Sequence, residues 1–294
     1  MNREHTSSRT LAVGVVVPVN NEQELLGSAL ASLTVAFDEL NHGSLLLRAA
    51  VVMDACTDVS EEIAIEWRAA LVRSCHPLAV TLVTSSAHNV GRARALGCAI
   101  LLDQWSRIDP ARIWLATTDA DSRVPRDWLT TQLARHEAGV DQWYGRVSVA
   151  DWSEYSADAR LRWQHEYEIE SQPIHGANLG FNAAIYLAAG GFEPLDTGED
   201  RALHRALVIH GALSDYDSAV RVVTSARRQA RAPLGFAHAL DIIRSAPRRA
   251  CAPKFGLKRR LCDWFTFHGN RPPLSRLATK ERATPEPKVK SPSV

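Results

Sequence analysis

In the first half of the chain, short runs of apolar and β-branched residues alternate with longer stretches of helical pattern. The first run, Leu11–Val19, is valine-rich and uncharged, which suits a strand buried on both faces of a sheet. Each run is followed by enough residues for a helix, so we expect right-handed crossovers between parallel strands. The predicted strands are 11–19, 47–53, 80–84 and 113–117, and the predicted helices are 22–40, 60–75, 90–105 and 125–138.

The second half has a mixed pattern that completes an α/β fold. We expect a mainly parallel central sheet flanked by helices, with a Rossmann-like first half and a mixed second half. In the first half, Ser60 is predicted to cap the second helix, and Pro125 to lie in the opening turn of the fourth. The later predicted strands are 142–150 and 220–224, and the later predicted helices are 158–171, 183–189 and 199–211.

The same patterns divide the chain into four predicted parts. Residues 1–10 are polar and are expected to be flexible, and residues 11–245 are expected to form the folded domain. Residues 246–279 form a basic segment rich in Pro and Arg, and residues 280–294 are predicted to be disordered because they have almost nothing to bury.

Composition predicts a cytoplasmic globular protein. Hydrophobic residues make up 46% of the chain and charged residues 23%, which is ordinary for a soluble domain. The apolar runs are far shorter than the roughly 20 residues of a membrane-spanning helix, and the first ten residues lack the apolar core of a secretory signal. The five cysteines are scattered and include no Cys-x-x-Cys pair, which favours reduced thiols over disulfides or a zinc site.

The C-terminal part is basic, while the rest of the chain is acidic. From Ser245 to the end there are twelve Lys or Arg and three Asp or Glu. An apolar stripe with helical spacing lies in this part, and it either contacts the inner membrane face as a peripheral amphipathic helix or packs on the domain. No nucleic-acid partner is predicted, because no recognition motif accompanies the charge. The stripe comprises Leu257, Leu261, Trp264 and Phe265, beside Lys258, Arg259 and Arg260.

Two aspartates directly follow the fourth predicted strand. Asp119 and Asp121 are spaced i, i+2, so an extended or turning backbone directs both to one side. Open α/β sheets bind ligands at the carboxyl ends of their strands. Oxygen-only ligands suit Mg²⁺ or Mn²⁺, and such an ion typically bridges substrate phosphates. The pair therefore predicts a metal site for a diphosphate, whereas a solvated acidic turn is the plainer interpretation.

Other polar residues are expected at the same edge of the sheet. The loop Pro18–Glu22 lacks the glycines of a dinucleotide motif, and its amides either contact a nucleotide or cap the following helix. Asp54 ends the second predicted strand and either accepts from a base or ribose or acts as a turn residue. Arg92 and Arg94 open the third helix, where cations oppose the helix dipole, so they either bind a diphosphate or are solvated.

The second half adds three further candidate groups. Residues 175–181 are rich in small side chains, which let a backbone approach a ligand closely. Glu199 and Asp200 open a predicted helix, either as first-turn acids favoured by the dipole or with one of them as a general base. An arginine cluster after the last predicted strand either clamps a phosphate or lies at the surface, and it comprises Arg227, Arg228 and Arg231.

The order of these motifs is more specific than any one of them. Pro-Val-Asn-Asn-Glu, Met-Asp-Ala-Cys-Thr-Asp, Asn-x-Gly-x-x-x-Ala, Asp-x-Asp, His-Gly-Ala-Asn, Gly-Gly-Phe and Glu-Asp follow one another between residues 11 and 236. In this order they resemble the family 2 glycosyltransferases of GT-A fold. The resemblance implies a nucleotide-diphospho-sugar donor, a hydroxyl acceptor, Mn²⁺ or Mg²⁺ as cofactor, and inversion at the anomeric carbon.

The resemblance also implies roles for individual residues. Asp200 matches the general base, with Glu199 beside it, and Asp119 and Asp121 match the metal motif, with Asp121 as the direct ligand. Residues 175–178, His175, Gly176, Ala177 and Asn178, are assigned to the acceptor side. The residues assigned to the nucleotide sugar are Pro18, Asn20, Glu22, Asp54, Arg92, Arg94, Asp119 and Arg228.

The sequence departs from the family pattern at two places. Met53, Ala55 and Cys56 replace the Asp, Gly and Ser that usually surround the base-contacting acid, here Asp54. The downstream Gln-x-x-Arg-Trp motif is absent, which weakens the comparison with processive polymer synthases. Two alternative functions are a sugar-phosphate nucleotidyltransferase, which would need a glycine-rich first loop, and a sugar-nucleotide-binding protein without turnover. A retaining mechanism is a further alternative.

Overall fold

The computed structural model describes residues 10–40, 42–149, 151–153, 155–169 and 173–225, which belong to one compact unit. In these residues, seven strands form one sheet with helices packed on it. The strands are β1 Ala12–Val19, β2 Leu46–Asp54, β3 Ala79–Ser85, β4 Ile113–Thr117, β5 Gln142–Val149, β6 Leu179–Asn182 and β7 Ser214–Thr224. The helices are α1 Leu26–Asp38, α2 Ser60–Arg73, α3 Val90–Gln104, α4 Trp128–Glu137, α5 Ala157–Ile169, α6 Ala183–Ala188 and α7 Glu199–Ile209.

The strand order is β3-β2-β1-β4-β6-β5-β7. The first four strands are parallel, as the alternation of strands and helices predicts. β6 is antiparallel to both β4 and β5, and β5 is parallel to β7. The α/β fold class is therefore confirmed, with a Rossmann-like half and a mixed half in one continuous sheet.

The central strands are buried because almost every side chain they carry is apolar. Seven of the eight residues of β1 and all five of β4 are buried. Tryptophans fill the core of the mixed half, and the indole N–H of Trp128 donates to Asn178 Oδ1 at 2.8 Å. The indole N–H of Trp114 donates to Gln132 Oε1 at 2.9 Å, so these large rings are buried without losing a hydrogen bond.

Most predicted elements are present with shifted ends, two predictions are wrong and one strand was missed. The strand β6 was not predicted, because its four residues, Leu-Gly-Phe-Asn, are short and contain a glycine. Ser60 is not the cap of α2: its hydroxyl accepts from the N–H of Glu22, while Asp58 Oδ1 accepts from the N–H of Ser60. Pro125 lies before α4, which begins at Trp128.

None of the helices described in this structure is long and apolar enough to cross a membrane. The flexible N-terminus, the arginine cluster with Arg228, the amphipathic stripe and the disordered tail were predicted for residues that lie outside the described ranges. Those four remain predictions from the sequence.

Candidate active site

The carboxyl ends of β1, β2 and β4 meet at one edge of the sheet, as expected for adjacent parallel strands. The loops that follow them carry the predicted site residues. The amino ends of α3 and α7 are joined to the same edge, because the N–H of Gly91 in α3 donates to the carbonyl of Leu195 in the loop before α7 at 3.1 Å. Residues from both halves of the sequence therefore lie together at this edge, and we call the region between these loops and the two helix ends the recess.

Arg94 is at the centre of this recess and is almost fully buried, with 3% of its surface exposed. Its Nη2 donates to Asp119 Oδ1, and its Nη1 donates to Glu199 Oε1. The guanidinium thus joins the metal-motif loop after β4 to the first turn of α7. The sequence predicted a diphosphate as the anion for Arg94, but in the structure its partners are these two carboxylates.

Asp200 is held by two backbone donors. Its Oδ2 accepts from the N–H of Gly176 at 2.9 Å, and its Oδ1 accepts from the N–H of Arg201 at 2.7 Å. Asp200 is half-buried, whereas the neighbouring Glu199 is 4% exposed and paired with Arg94. Of the two adjacent acids, Asp200 is therefore the one placed to meet a ligand, and Glu199 is part of the internal packing.

The charges of two other carboxylates act on Asp119 in this recess. Partial desolvation raises the pKa of Asp119, whose side chain is still 37% exposed; the charges of Asp121 and Asp200 raise it further, and the Arg94 guanidinium opposes the shift. Acids from two distant parts of the sequence are therefore close enough to repel. A divalent cation would relieve this repulsion.

The metal-motif loop is fastened to the end of β7. The hydroxyls of Ser122 and Thr224 donate to Asp121 Oδ1 at 3.0 and 3.4 Å. The backbones of Arg123 and Val223 exchange two hydrogen bonds, at 2.8 and 2.9 Å. Asp121 is therefore held in place by the last described strand, although Asp121 and Thr224 are 103 residues apart in sequence.

The donor set fits a cation that is shared with a substrate. Among the residues the structure describes, no group of three or more His, Cys, Asp and Glu could hold a metal ion by itself. Asp119 and Asp121 offer two carboxylates, and Mg²⁺ or Mn²⁺ is commonly held by one or two carboxylates together with substrate phosphates and water. The residues present therefore fit a metal–diphosphate complex better than a closed protein site.

The loops after β1 and β2 are held together by the two asparagines of the first motif. Asn20 Nδ2 donates to the carbonyl of Asp54 at 2.6 Å, and Asn21 Oδ1 accepts from the N–H of Thr57 at 2.7 Å. Neither residue caps α1, which begins at Leu26. Asn21 and Ala55 both have positive φ, 55° and 53°, so these contacts stabilise a backbone shape that is uncommon for residues other than glycine.

The Asp54 carboxylate organises the loop between β3 and α3. Oδ1 accepts from the Ser85 hydroxyl and from the N–H groups of Ala87 and His88, and Oδ2 accepts from the N–H of Asn89 at 2.7 Å. Asp54 is 5% exposed. The base contact predicted for Asp54 would have to be made beside these bonds, so its observed role is to shape the loop.

Asp54→Asn is expected to lower the free energy of unfolding by about 2 kcal/mol or more. The amide nitrogen that replaces one oxygen is itself a donor, so it would face a backbone N–H and leave that group without an acceptor. Chemical denaturation of both proteins measures the change. Asp103→Asn, at an exposed position on α3, is the control and should be neutral. Equal stability of Asp54→Asn and the parent would refute this role.

The start of α3 is attached to the loop before α7. Asn89 caps α3 by accepting from the N–H of Arg92, and its Nδ2 donates to Asp196 Oδ1 and to the carbonyl of Pro194. At Gly91 an added Cβ would lie 2.2 Å from the carbonyl oxygen of Glu193, which is backbone and cannot rotate away. A residue without a side chain is therefore required at this contact.

Gly91→Ala is expected to destabilise the protein by about 3 kcal/mol, because the added methyl group forces two backbone segments apart. The greater helix propensity of alanine offsets only about 1 kcal/mol of this loss. Thermal unfolding monitored by circular dichroism measures the effect. Gly27→Ala on α1 is the matched control, since its added Cβ meets only Ile63 at 4.0 Å, and it should be neutral or slightly stabilising. Similar melting of the two variants would contradict the prediction.

The segment assigned to the acceptor side is divided by the structure. His175 Nε2 is hydrogen-bonded to the hydroxyl of Tyr167 at 2.9 Å, and the same hydroxyl accepts from the N–H of Val147. Burial lowers the pKa of His175 to about 4, although the charge of Asp200 acts in the opposite direction. His175 is thus neutral at physiological pH, lies beside the recess and is joined through Gly176 to Asp200.

Asn178 and Ala177 are buried in the core rather than presented to an acceptor. Asn178 is fully buried, its Oδ1 accepts from Trp128, and its Nδ2 donates to the carbonyls of Arg146 and Val220. In this structure its side chain is therefore committed to internal hydrogen bonds. The sequence analysis missed two residues that contact this segment, because nothing in their local sequence distinguishes them. Tyr167 is hydrogen-bonded to His175, and the hydroxyl of Thr117 donates to the carbonyl of Gly176 at 2.6 Å.

The sheet order, the Asp-x-Asp loop after β4 and the acidic first turn of α7 fit the GT-A fold that the sequence resemblance predicts. The description "Glycosyl transferase family 2" belongs to a family model that matches residues 14–193, more than half of the chain. The chain therefore belongs to glycosyl transferase family 2. No curated protein sequence is significantly similar to it.

Solved structures of three proteins share the fold. A mannosyltransferase from Pyrobaculum calidifontis, solved with GDP-Man and Mn²⁺, is 21% identical with a TM-score of 0.54, and the match covers 81% of this chain and 62% of that one. TarS residues 1–349 from S. aureus is 13% identical with a TM-score of 0.52, covering 79% and 64%. Glucosyl-3-phosphoglycerate synthase from Mycobacterium tuberculosis, solved with Mg²⁺ and UDP, is 16% identical with a TM-score of 0.50, covering 82% of each chain.

This chain therefore spans less than two thirds of the length of the first two relatives. At these identities, the similarity concerns the fold.

Proposed function

We propose that this protein transfers a sugar from a nucleotide-diphospho-sugar to an acceptor hydroxyl, with a divalent metal and with inversion at the anomeric carbon. The observation that carries the proposal is that Arg94 joins Asp119 of the Asp-x-Asp loop to Glu199, the neighbour of Asp200, which brings the aspartates of the two motifs to one recess. Family membership supports it, and so do the GDP-Man, UDP, Mn²⁺ and Mg²⁺ in the solved structures of similar fold.

In this proposal, Asp119 and Asp121 hold the cation and thereby fix the donor diphosphate. A bound cation would neutralise the negative charge that develops on the leaving diphosphate. The loops after β1 and β2, held together by Asn20 and Asn21, border the same edge and are assigned to the nucleoside.

Asp200 is assigned to the acceptor hydroxyl. Its carboxylate takes the hydroxyl proton as the acceptor oxygen attacks the anomeric carbon. Attack from the face opposite the diphosphate inverts that centre. The N–H groups of Gly176 and Arg201, which donate to Asp200, orient the carboxylate. Glu199 does not serve as the base in this proposal, because its carboxylate is paired with Arg94.

A panel of nucleotide sugars tests the proposal. The protein is mixed with each of several UDP-, GDP-, dTDP- and CDP-sugars in Mn²⁺, and its melting temperature is compared with that in Mn²⁺ alone. At least one donor should raise the melting temperature, and chelator should remove the increase. The selected donor is then assayed for slow hydrolysis, in which water replaces the acceptor. A donor that binds but is never cleaved would favour the sugar-nucleotide-binding alternative, and no stabilisation by any donor would refute the proposal.

A further inference from the structure

We propose that Arg94 is a positioning residue, which fixes the metal-motif loop and the base-bearing helix α7 relative to each other. The proposal rests on the function proposed above and deepens it, because it gives the donor side and the acceptor side of the site a common mechanical link. Arg94 would act through the carboxylates that it holds, without touching either substrate.

The first support is the geometry of the guanidinium group. One nitrogen donates to Asp119 and the other terminal nitrogen to Glu199, so a single planar group spans the two sides of the recess. The side chains of Arg94 and Glu199 are 4% and 5% exposed, and that of Asp119 is 37% exposed. A guanidinium presents its donors in a rigid fork, which a lysine ammonium cannot reproduce. The internal end of the link is therefore fixed, and the exposed end is Asp119.

The second support is the position of Glu199 in the chain. Glu199 is the first residue of α7, and Asp200 is the second. Holding Glu199 in the core therefore fixes the direction in which Asp200 leaves the helix. The preceding residue, Gly198, has φ of 81° and offers no side-chain cap, so the ion pair with Arg94 is a principal contact of this first turn.

The third support is the packing of the turn at Gly176 on Arg94. A Cβ added to Gly176 would lie 2.4 Å from Arg94 Cζ, so the backbone of this turn lies directly on the guanidinium. The N–H of the same residue donates to Asp200. Arg94 therefore supports Asp200 along two routes, through Glu199 within α7 and through the turn that donates a hydrogen bond to the carboxylate.

Stability alone is a weak explanation for this arrangement. A buried ion pair loses hydration that its attraction only partly restores, and apolar residues of similar volume often stabilise a core as well or better. Here the buried pair lies between Asp119, which is assigned to the cation, and Asp200, which is assigned to the acceptor hydroxyl. The distance between these two carboxylates must be exact for transfer. A misplacement of about 1 Å can lower turnover by about 10²-fold.

The decisive variant is the double substitution Arg94→Met with Glu199→Gln. It removes one positive and one negative charge, so the net charge of the recess is unchanged. Of the two carboxylates that pair with Arg94, only Asp119, the more exposed one, keeps its charge without that partner. We expect kcat to fall by about 10²-fold through lost positioning. In Glu199→Gln alone, Arg94 keeps its contact with Asp119. This variant should therefore lower kcat by about tenfold, while the donor dissociation constant changes by less than about threefold. Arg94→Lys, which keeps the charge without the fork, should fall between the parent and the double variant.

Three measurements are made on each full-length variant: steady-state kinetics, calorimetric binding of the selected nucleotide sugar in Mn²⁺, and melting temperature. Arg107→Met, at an exposed position beyond the end of α3, is the control and should match the parent. A loss of kcat in Glu199→Gln with donor binding retained supports the inference, because general damage to the fold would weaken both.

Two results would overturn this inference and leave the proposed function standing. One is a double variant with the turnover of the parent. The other is a loss of turnover and donor binding that follows the fall in melting temperature across the variants. Failure of the proposed function is distinguishable, because the parent protein itself would then neither bind nor cleave any donor. That result would also remove the inference, which rests on that function.

Discussion

Asp200→Asn is expected to lower turnover by about 10²-fold or more, because the amide cannot take the proton of the acceptor hydroxyl. The substitution preserves the shape of the side chain and leaves one oxygen to accept from the N–H of Gly176 or Arg201. In the proposed mechanism Asp200 does not coordinate the cation, so the variant should bind the donor with nearly the affinity of the parent. Steady-state kinetics and calorimetric donor titration in Mn²⁺ separate the two effects.

The control for this experiment is again Asp103→Asn, which removes an exposed carboxylate from α3 and should leave both quantities unchanged. Turnover of Asp200→Asn equal to that of the parent would remove Asp200 from the role of base. A second informative result is the stereochemistry of the product. Retention of configuration would contradict direct displacement and with it the need for a base at this position.

Asp121→Ala is expected to abolish the dependence of donor binding on Mn²⁺. The substitution removes one of two carboxylates assigned to the cation, and we expect donor affinity in Mn²⁺ to fall by about 10²-fold, to the level measured in chelator. Calorimetric titration of the donor, with Mn²⁺ and then with chelator, measures the difference. Binding by the variant that is still strengthened by Mn²⁺ would sink the metal assignment.

A second substitution separates metal binding from local structure. Asp121 also accepts from the hydroxyls of Ser122 and Thr224, so its removal loosens the contact with the end of β7. Asp121→Asn keeps an oxygen for these bonds but loses the charge. If the cation is the reason for the effect, Asp121→Asn should lose the Mn²⁺ dependence while keeping the melting temperature of the parent.

The parallel half of the fold was predictable because its two central strands, β1 and β4, are almost wholly apolar. β4 begins and ends at the predicted residues, Ile113 and Thr117, since charged or polar residues follow on both sides. The position of the metal motif follows from that strand alone. In contrast, β6 is buried between two strands but has only four residues, and its hydrophobic pattern is too short to distinguish a strand from a loop.

The chemistry of the site was only partly predictable, because the sequence names residues but not their partners. The order of motifs placed Asp119, Asp121 and Asp200 at one edge, and their mutual influence on the pKa of Asp119 agrees with that placement. It could not tell which acid of the pair at 199 and 200 is internal. That distinction depends on Arg94, which lies 105 residues away from Glu199 and has the sequence pattern of an ordinary helix-opening cation.

The position of β6 in the sheet has a consequence for how the protein is made. β4 pairs with β1 on one side and with β6 on the other, and β6 follows β4 by about sixty residues. While the chain emerges from the ribosome, the parallel half can assemble before β6 has been synthesised. Its last strand, β4, is then an edge strand of five residues that are all buried in the folded protein. Until residues 179–182 have been synthesised and have paired with β4, either a chaperone or rapid synthesis must protect that edge from pairing with another chain.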